Sequence, residues 1–238
     1  MASSNMDERE DDNQETRAIV LLSGGLDSST VLAWARAEGR ACFALSFDYG
    51  QRHRIELERA TEIAGILGAV EHRIVNIDLR AFGGSALTDD IEVPKDRIDA
   101  HGRHAGGDPE DDIPITYVPA RNTIFMSFAM AYAEVREASE IWLGINAIDY
   151  SGYPDCRPEY LAAFQAMSDL ATKAGVEGRG PRFRAPLAEL SKIDIVRKAR
   201  ELGVPLERTI SCYDPGPDGD PCLRCDSCVM RAAAIDRA

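Results

Sequence analysis

The segment IVLLSGGLDSSTVLAWA, residues 19–35, constrains the fold more than any other part of this chain. It reads as a buried strand, a Ser-Gly-Gly turn and a helix, an arrangement in which backbone N–H groups at the helix start can bind an anion. Gly24 and Gly25 let the backbone approach a ligand closely, because neither has a Cβ atom. The common phosphate-binding loop ends in Gly-Lys-Ser/Thr, whereas this turn has no lysine and places Asp27 there. The segment therefore predicts an unusual anion site.

The side chains around this turn suit a phosphate if a cation takes part. The hydroxyl groups of Ser23, Ser28 and Ser29 add to the positive end of the helix dipole. Asp27 would repel a phosphate unless Mg²⁺ lies between them, and one carboxylate with substrate phosphates is an ordinary ligand set for that ion. Simple helix capping explains Asp27 but not two glycines and three serines directly after a strand.

Strands and helices alternate along the rest of the chain. Apolar runs predict strands at 18–22, 41–50, 72–78 and 140–146, and helical spacing predicts helices at 27–37, 51–69 and 122–135. Such alternation is typical of an α/β domain with a parallel sheet covered on both faces. Ligands bind such sheets outside the carboxyl ends of the strands, where the motifs of this chain fall.

Length and charge limit the class of protein further. The 238 residues suffice for one sizeable domain, and the net charge of −13 argues against a protein that mainly binds nucleic acid. Residues 1–17 are polar and acidic, which predicts a disordered tail rather than a signal peptide, and no apolar run could span a bilayer. We therefore expect a cytoplasmic protein with no membrane partner. The segment 88–112 is rich in acids, glycine and proline and predicts a mobile loop.

Four of the six cysteines stand close together near the C-terminus. Cys212, Cys222, Cys225 and Cys228 follow the spacing C-x9-C-x2-C-x2-C, which suits a tetrahedral zinc site. An iron–sulfur cluster is the competing interpretation, since C-x2-C-x2-C also occurs there. Cys42 lies in an apolar strand and is expected in the core, whereas Cys156 lies beside polar loop residues and could be reactive.

The motifs also resemble a known family. SGGLDSS, residues 23–29, is similar to the SGGxDS loop of the ATP pyrophosphatases, which split ATP between the α and β phosphates and transfer AMP. The segments 114–134, 144–160 and 211–231 resemble the 7-cyano-7-deazaguanine synthases, and the resemblance runs from about 18 to 231. It implies a Rossmann-like, doubly wound parallel sheet of the adenine nucleotide alpha-hydrolase type over 18–205. It also implies a small C-terminal zinc-binding segment over 206–238.

The resemblance further implies a reaction and its participants. An ATP-dependent ligase of this family converts 7-carboxy-7-deazaguanine and ammonium to the nitrile, with Mg²⁺ accompanying ATP, one structural Zn²⁺ per chain, and a homodimer without direct nucleic-acid contact. The implied catalytic residues are Asp27, Ser28 and Arg121. The implied nucleotide contacts are Leu22, Ser23, Gly24, Gly25, Leu26, Asp27, Ser28, Ser29, Thr30, Val31 and Leu32. The implied substrate contacts are Arg121, Asn122, Asp149, Tyr150, Tyr153 and Asp155.

The sequence is also compatible with other interpretations. Arg121 could form a surface salt bridge, and the tyrosines after residue 146 could serve packing in a rigid turn. A sulfurtransferase acting on tRNA would need a basic surface and a persulfide on Cys156, and the charge of −13 and the lone Cys156 argue against it. A non-catalytic, zinc-stabilised nucleotide-binding module is the third alternative, and the intact SGGLDSS loop together with the full substrate turn makes it the weakest. The sequence does not decide whether the product leads to queuosine or to archaeosine.

Overall fold

A computed structural model of the chain describes residues 16–51, 55–99, 113–146 and 153–238. It confirms the predicted parallel sheet, whose neighbouring strands all pair in parallel in the order β3-β2-β1-β4-β5. The strands are β1 (Arg17–Leu21), β2 (Ala41–Asp48), β3 (Glu71–Asn76), β4 (Glu140–Trp142) and β5 (Arg182–Arg184). Strand order reverses between β1 and β4, which is the position where doubly wound sheets open a crevice for ligands.

Helices cover both faces of this sheet. They are α1 (Leu26–Ala37), α2 (Ile55–Ile66), α3 (Arg121–Arg136), α4 (Pro158–Ala171), α5 (Lys173–Val176), α6 (Lys192–Glu201) and α7 (Asp226–Arg237). Two short 3₁₀ turns, Pro154–Cys156 and Leu206–Arg208, complete the described elements. Ile19 of β1 packs with α3 and α4, whereas its neighbour Val20 packs with α1 and α6. This alternation along one strand gives the domain two apolar layers.

The predicted boundaries needed correction at two places near the crevice. The strand expected at 140–146 ends at Trp142, because the chain then turns across the sheet toward the start of α1. A Cβ atom on Gly144 would lie 3.0 Å from the Ser28 backbone, so this close crossing favours glycine. The helix expected from residue 51 begins at Ile55 in the described part of the chain.

Part of the acidic segment 88–112 lies against the C-terminal segment. Residues 88–99 are described, and we call them the strap. Three successive strap residues form ion pairs with the cysteine-bearing segment: Lys95 with Asp214, Asp96 with Arg224, and Arg97 with Asp226. The backbone N–H of Asp96 also donates to the Arg224 carbonyl at 2.9 Å. None of the helices in the described ranges is long and apolar enough to cross a bilayer.

Candidate active site and metal centre

A cavity of about 270 Å³ opens at the carboxyl ends of β1, β2 and β4. Leu22, Phe47 and Leu143, which lie at or just beyond these strand ends, form its apolar floor. The Ser-Gly-Gly turn stands on one side and the start of α3 on the other. The cavity is therefore large enough for a small ligand and lies where the strand order predicts one.

The turn after β1 is built so that only glycine fits at its tightest point. Gly24 has φ of +79°, and a Cβ atom there would lie 2.6 Å from the carbonyl oxygen of Glu56. Its own carbonyl accepts a hydrogen bond from the backbone N–H of Ile210 at 3.0 Å. The hydroxyl groups of Ser23 and Ser28 hydrogen-bond each other at 3.0 Å, and both side chains line the cavity. The turn thus holds two hydroxyls and the start of α1 toward the same space.

The nucleotide contacts implied by resemblance divide into two groups. Leu22, Ser23, Gly25, Leu26, Asp27 and Ser28 line the cavity, and Gly24 shapes the turn. Ser29, Thr30, Val31 and Leu32 instead lie in the body of α1, fully buried against the sheet. The Thr30 hydroxyl donates to the Leu26 carbonyl at 2.7 Å, which keeps it within the helix. None of these four residues lines the cavity, so they support the turn through packing within the domain.

The turn itself has no lysine, but a lysine from a helix far away in the sequence lies beside it. Lys192, the first residue of α6, donates to both carboxylate oxygens of Asp27 at 2.8 and 3.0 Å. Lys192 is 9% exposed, so the pair is largely removed from water. Arg231 of α7 also lines the cavity and donates to the Ser211 hydroxyl at 3.2 Å. A Mg²⁺ ion at Asp27 would have to share the carboxylate with Lys192 or replace it.

The opposite wall is formed by the start of α3. Arg121 and Asn122 line the cavity there, after Ala120 takes a left-handed conformation with φ of +53°. Asp155 accepts a hydrogen bond from the backbone N–H of Asn122 at 3.0 Å and is 6% exposed. Burial raises the pKa of Asp155, and the Asn122 bond and Arg121 oppose that effect. Asp155 thus acts as a cap for α3 and lies behind the cavity wall rather than in it.

The remaining predicted substrate contacts are only partly described. Tyr153 lines the cavity, and its hydroxyl hydrogen-bonds the Thr116 hydroxyl at 2.7 Å. The Arg121 guanidinium lies 6.0 Å from the centre of the Tyr49 ring, on the same side of the cavity. Asp149 and Tyr150 lie outside the described residues.

Neither cysteine outside the C-terminal group is arranged as a reactive thiolate. Cys42 is fully buried in β2, as the sequence predicted. Burial raises the pKa of Cys156 to about 11, and the nearby Asp155 raises it as well. The Asn122 side-chain amide lies 3.3 Å from its sulfur. Cys156 therefore stays protonated at neutral pH, which does not suit a persulfide-forming nucleophile.

Glu56 is a cavity residue that the sequence did not single out. Burial raises the pKa of its carboxyl to about 7, while the positive charge of Arg121 opposes that shift. In the sequence, a glutamate in the first turn of α2 looks like an ordinary partner for the helix dipole. Its spatial neighbours Arg121 and Tyr49 come from other elements, so no local sequence pattern shows them.

The four C-terminal cysteines meet in one cluster. Their sulfur atoms all lie within 4.8 Å of one another, and a tetrahedral zinc with bonds of about 2.3 Å would require about 3.8 Å. The Cys212 sulfur accepts backbone N–H groups from Asp214 at 3.4 Å and Cys222 at 3.2 Å. Such hydrogen bonds favour the thiolate form that metals bind. The cluster therefore fits a tetrahedral metal ion.

The sequence of this chain is similar to those of known proteins over nearly its whole length. Residues 17–238 match the family described as "Queuosine biosynthesis protein QueC". The chain is 58% identical over 226 residues to a 7-cyano-7-deazaguanine synthase of Desulfatibacillum aliphaticivorans, with 94% of each protein covered. It is 54% identical over 225 residues to a synthase of the same name from Stutzerimonas stutzeri, covering 94% of this chain and 95% of that protein.

A solved structure supports the fold alone. A 4-thiouridine synthetase, solved in complex with RNA and with bound ATP, matches with a TM-score of 0.52 and 20% identity. The match covers 87% of this chain and 44% of that protein.

Proposed function

Because this chain belongs to the QueC family of queuosine biosynthesis proteins, we propose that it is a 7-cyano-7-deazaguanine synthase. In this proposal it uses ATP to convert 7-carboxy-7-deazaguanine and ammonia to the nitrile. The observation that carries the proposal is one cavity with the SGGLDSS turn on one wall and Arg121, Asn122 and Tyr153 on the other. Relatives of that name, at up to 58% identity over nearly the whole chain, support it.

The turn wall is proposed to bind the phosphates of ATP. The first N–H groups of α1 and the Ser23 and Ser28 hydroxyls would donate to phosphate oxygens. Lys192 and Arg231 would supply the positive charge that the turn itself lacks. Asp27 would hold Mg²⁺, which when bound neutralises charge on the departing pyrophosphate.

The α3 wall is proposed to hold the acceptor. The planar guanidinium of Arg121 matches a carboxylate and would orient it toward the α-phosphorus of ATP. Attack by the carboxylate oxygen releases pyrophosphate and gives an acyl adenylate. Ammonia then displaces AMP to form the amide, and the amide oxygen is adenylated in turn before the nitrile forms. Ser28 and Asp27 remain proposed catalytic residues at the phosphate end.

The heterocycle is proposed to lie between these walls. Tyr153 can stack on a purine-like ring, and Asn122 can hydrogen-bond its polar edge. Asp149 and Tyr150 stay in the proposal as further substrate contacts. We expect Asp149→Asn to reduce turnover of the deazapurine with little change in ATP affinity, as measured by steady-state kinetics and calorimetry. Equal loss of both would count against this role.

The C-terminal cluster is proposed to hold one structural Zn²⁺. Four cysteines around one point leave no open position for substrate, which is typical of structural sites. Metal analysis finding iron and sulfide would contradict this assignment. We also propose a cytoplasmic homodimer without direct nucleic-acid contact, on the family resemblance and the charge of −13.

One experiment tests the central proposal. The chain is incubated with ATP, ¹⁵N-labelled ammonium and 7-carboxy-7-deazaguanine, and products are identified by mass. We expect the amide and then the nitrile, each carrying the label. Transfer of radioactive sulfur to tRNA without any nitrile would instead indicate a sulfurtransferase. The raised pKa of Cys156 and the acidic charge already disfavour that outcome.

A further inference from the structure

The position of Glu56 in the cavity is fixed by the phosphate turn itself. Its backbone carbonyl packs against Gly24, so close that a Cβ atom at residue 24 would lie 2.6 Å away. Its side chain lines the cavity together with those of Gln51 and Leu57. A carboxyl group is therefore held beside the turn that we propose for ATP, on the side that faces α3.

Within the described part of the chain, few groups engage the Glu56 carboxyl. Among the described residues, Arg121 of α3 is the titratable group that acts on it, and the Glu56 charge in turn raises the pKa of Tyr49, which directly follows β2. Arg121 acts on Glu56 through its charge, and no described residue donates a hydrogen bond to the Glu56 carboxylate. A partly buried acid without such donors is available to take a proton from a ligand.

The other acidic groups near the cavity are already engaged. Asp27 is bound at both oxygens by Lys192, and Asp155 accepts the Asn122 backbone N–H behind the wall. The Cys156 thiol, with a pKa of about 11, does not supply a base at neutral pH. Within the described walls, Glu56 is thus best placed to exchange protons with a bound substrate.

We propose that Glu56 is the catalytic base of nitrogen insertion, accepting protons from the attacking nitrogen. The inference rests on the proposed synthase function and assigns a residue to the steps that follow adenylation, in which nitrogen is inserted. Deprotonated Glu56 would lie close to the carbon activated by AMP, since Arg121 faces both Glu56 and the proposed substrate carboxylate. Its pKa of about 7 lets it accept and release protons near neutral pH.

The proton balance is explicit in both steps. When ammonia attacks the acyl adenylate, the C–N bond forms, the C–O bond breaks, and AMP leaves with that electron pair. Glu56 takes the surplus N–H proton, so a neutral amide remains. Attack of the amide oxygen on ATP releases pyrophosphate and gives a protonated imidate with two N–H protons. Glu56 takes the first of these protons, which leaves the neutral imidate, and passes it to solvent. It then takes the second N–H proton while the C–O bond breaks and its electron pair leaves with AMP, giving the nitrile. Between the steps the carboxyl returns its proton to solvent through the open cavity.

The test separates adenylation from nitrogen insertion in Glu56→Gln. Pyrophosphate release without ammonium reports the first, and amide plus nitrile formation at constant free ammonia reports the second. We expect Glu56→Gln to keep pyrophosphate release within about threefold and to lose nitrogen insertion by about 10²-fold or more. The wild-type insertion rate should fall below about pH 7, and Glu56→Gln should lose that dependence.

Two further variants control the test. Glu58→Gln changes an exposed acid on the same helix and should behave as wild type. Glu56→Asp keeps a carboxyl at a shorter reach, so it should retain the pH dependence with insertion slowed about tenfold. If Glu56→Gln does not fold, the pH profile of Glu56→Asp decides, and a flat profile would overturn the inference.

The outcomes distinguish this inference from the function on which it rests. A wild-type chain that makes nitrile while Glu56→Gln inserts nitrogen at the same rate would overturn the inference alone. Equal loss of pyrophosphate release and insertion in folded Glu56→Gln would also overturn it, assigning Glu56 to binding. A wild-type chain that makes no nitrile would overturn the proposed function and the inference together.

Discussion

The pKa of Glu56 has a consequence for stability that does not depend on catalysis. Because burial raises the folded-state value from 4.5 to about 7, folding favours the protonated acid. This contribution to stability is fully present below the pKa that Glu56 has in the unfolded chain. It is lost as the pH rises through the pKa that Glu56 has in the folded protein. Glu56→Gln cannot ionise, so we expect it to match wild type near pH 4. Above pH 8 or so it should be more stable by roughly 1–2 kcal/mol, after allowing for solvent in the cavity.

Urea denaturation across this pH range measures the difference, with the exposed Glu58→Gln as the matched control. A constant difference between Glu56→Gln and wild type at all pH values would contradict the raised pKa.

The pair of Asp27 and Lys192 predicts a second effect of single residues. Lys192→Met would leave the Asp27 carboxylate partly buried without its partner, since the side chains are only 20% and 10% exposed. We expect a loss of roughly 2–4 kcal/mol in the free energy of unfolding. The double variant Asp27→Asn with Lys192→Met should recover much of that loss, because no unpaired charge remains. Additive effects in the double-mutant cycle would argue against direct coupling.

The start of α3 is an element whose position depends on one side chain. Asp155→Ala would remove the acceptor for the Asn122 backbone N–H and should destabilise the domain by roughly 1–2 kcal/mol. Asp155→Asn retains an oxygen acceptor and should cost less. Because Arg121 begins this helix, both variants should weaken substrate affinity more than ATP affinity. Hydrogen exchange at the first turn of α3 measures the fraying directly, and unchanged exchange in Asp155→Ala would contradict the capping role.

Elements with strong periodic patterns were predictable from the sequence. β1, α1 and β2 lie within one or two residues of expectation, because their apolar side chains follow the strand or helix period without interruption. β5 was not predicted, since three residues with two exposed arginines carry no such pattern. Lys192 and Glu56 were missed because their roles depend on neighbours from distant segments, which no local spacing shows.

The segment that carries the cysteine cluster connects the Ser-Gly-Gly turn with α7. Ser211 precedes Cys212, lies 3.5 Å from the backbone N–H of Leu26, and accepts from Arg231 of α7. Removal of the metal should therefore lower the unfolding temperature and also weaken ATP binding at the turn. Calorimetry before and after chelation, with restoration by Zn²⁺, measures both. Loss of thermal stability with unchanged ATP affinity would show that the cluster is not coupled to the site.

For the molecule as a whole, the doubly wound sheet and the cysteine cluster followed from the sequence. The arrangement of the cavity walls did not, because it depends on how α3 and α6 approach the sheet from opposite faces. Asp155 illustrates the limit. Its motif position suggested contact with substrate, and only the packing of α3 showed that its carboxylate is used by the Asn122 backbone.

The ion pairs of the strap alternate in sign along the chain. Lys95, Asp96 and Arg97 present plus, minus and plus, and the C-terminal residues facing them present minus, plus and minus. The pairs are exposed or only partly buried, and one such surface pair alone contributes little. A slip of one residue, however, would bring like charges together at successive positions, and those contacts would repel. The alternation of charge therefore selects one alignment of the strap against the cysteine-bearing segment. A single-residue insertion in the strap would shift this alignment and place like charges opposite each other.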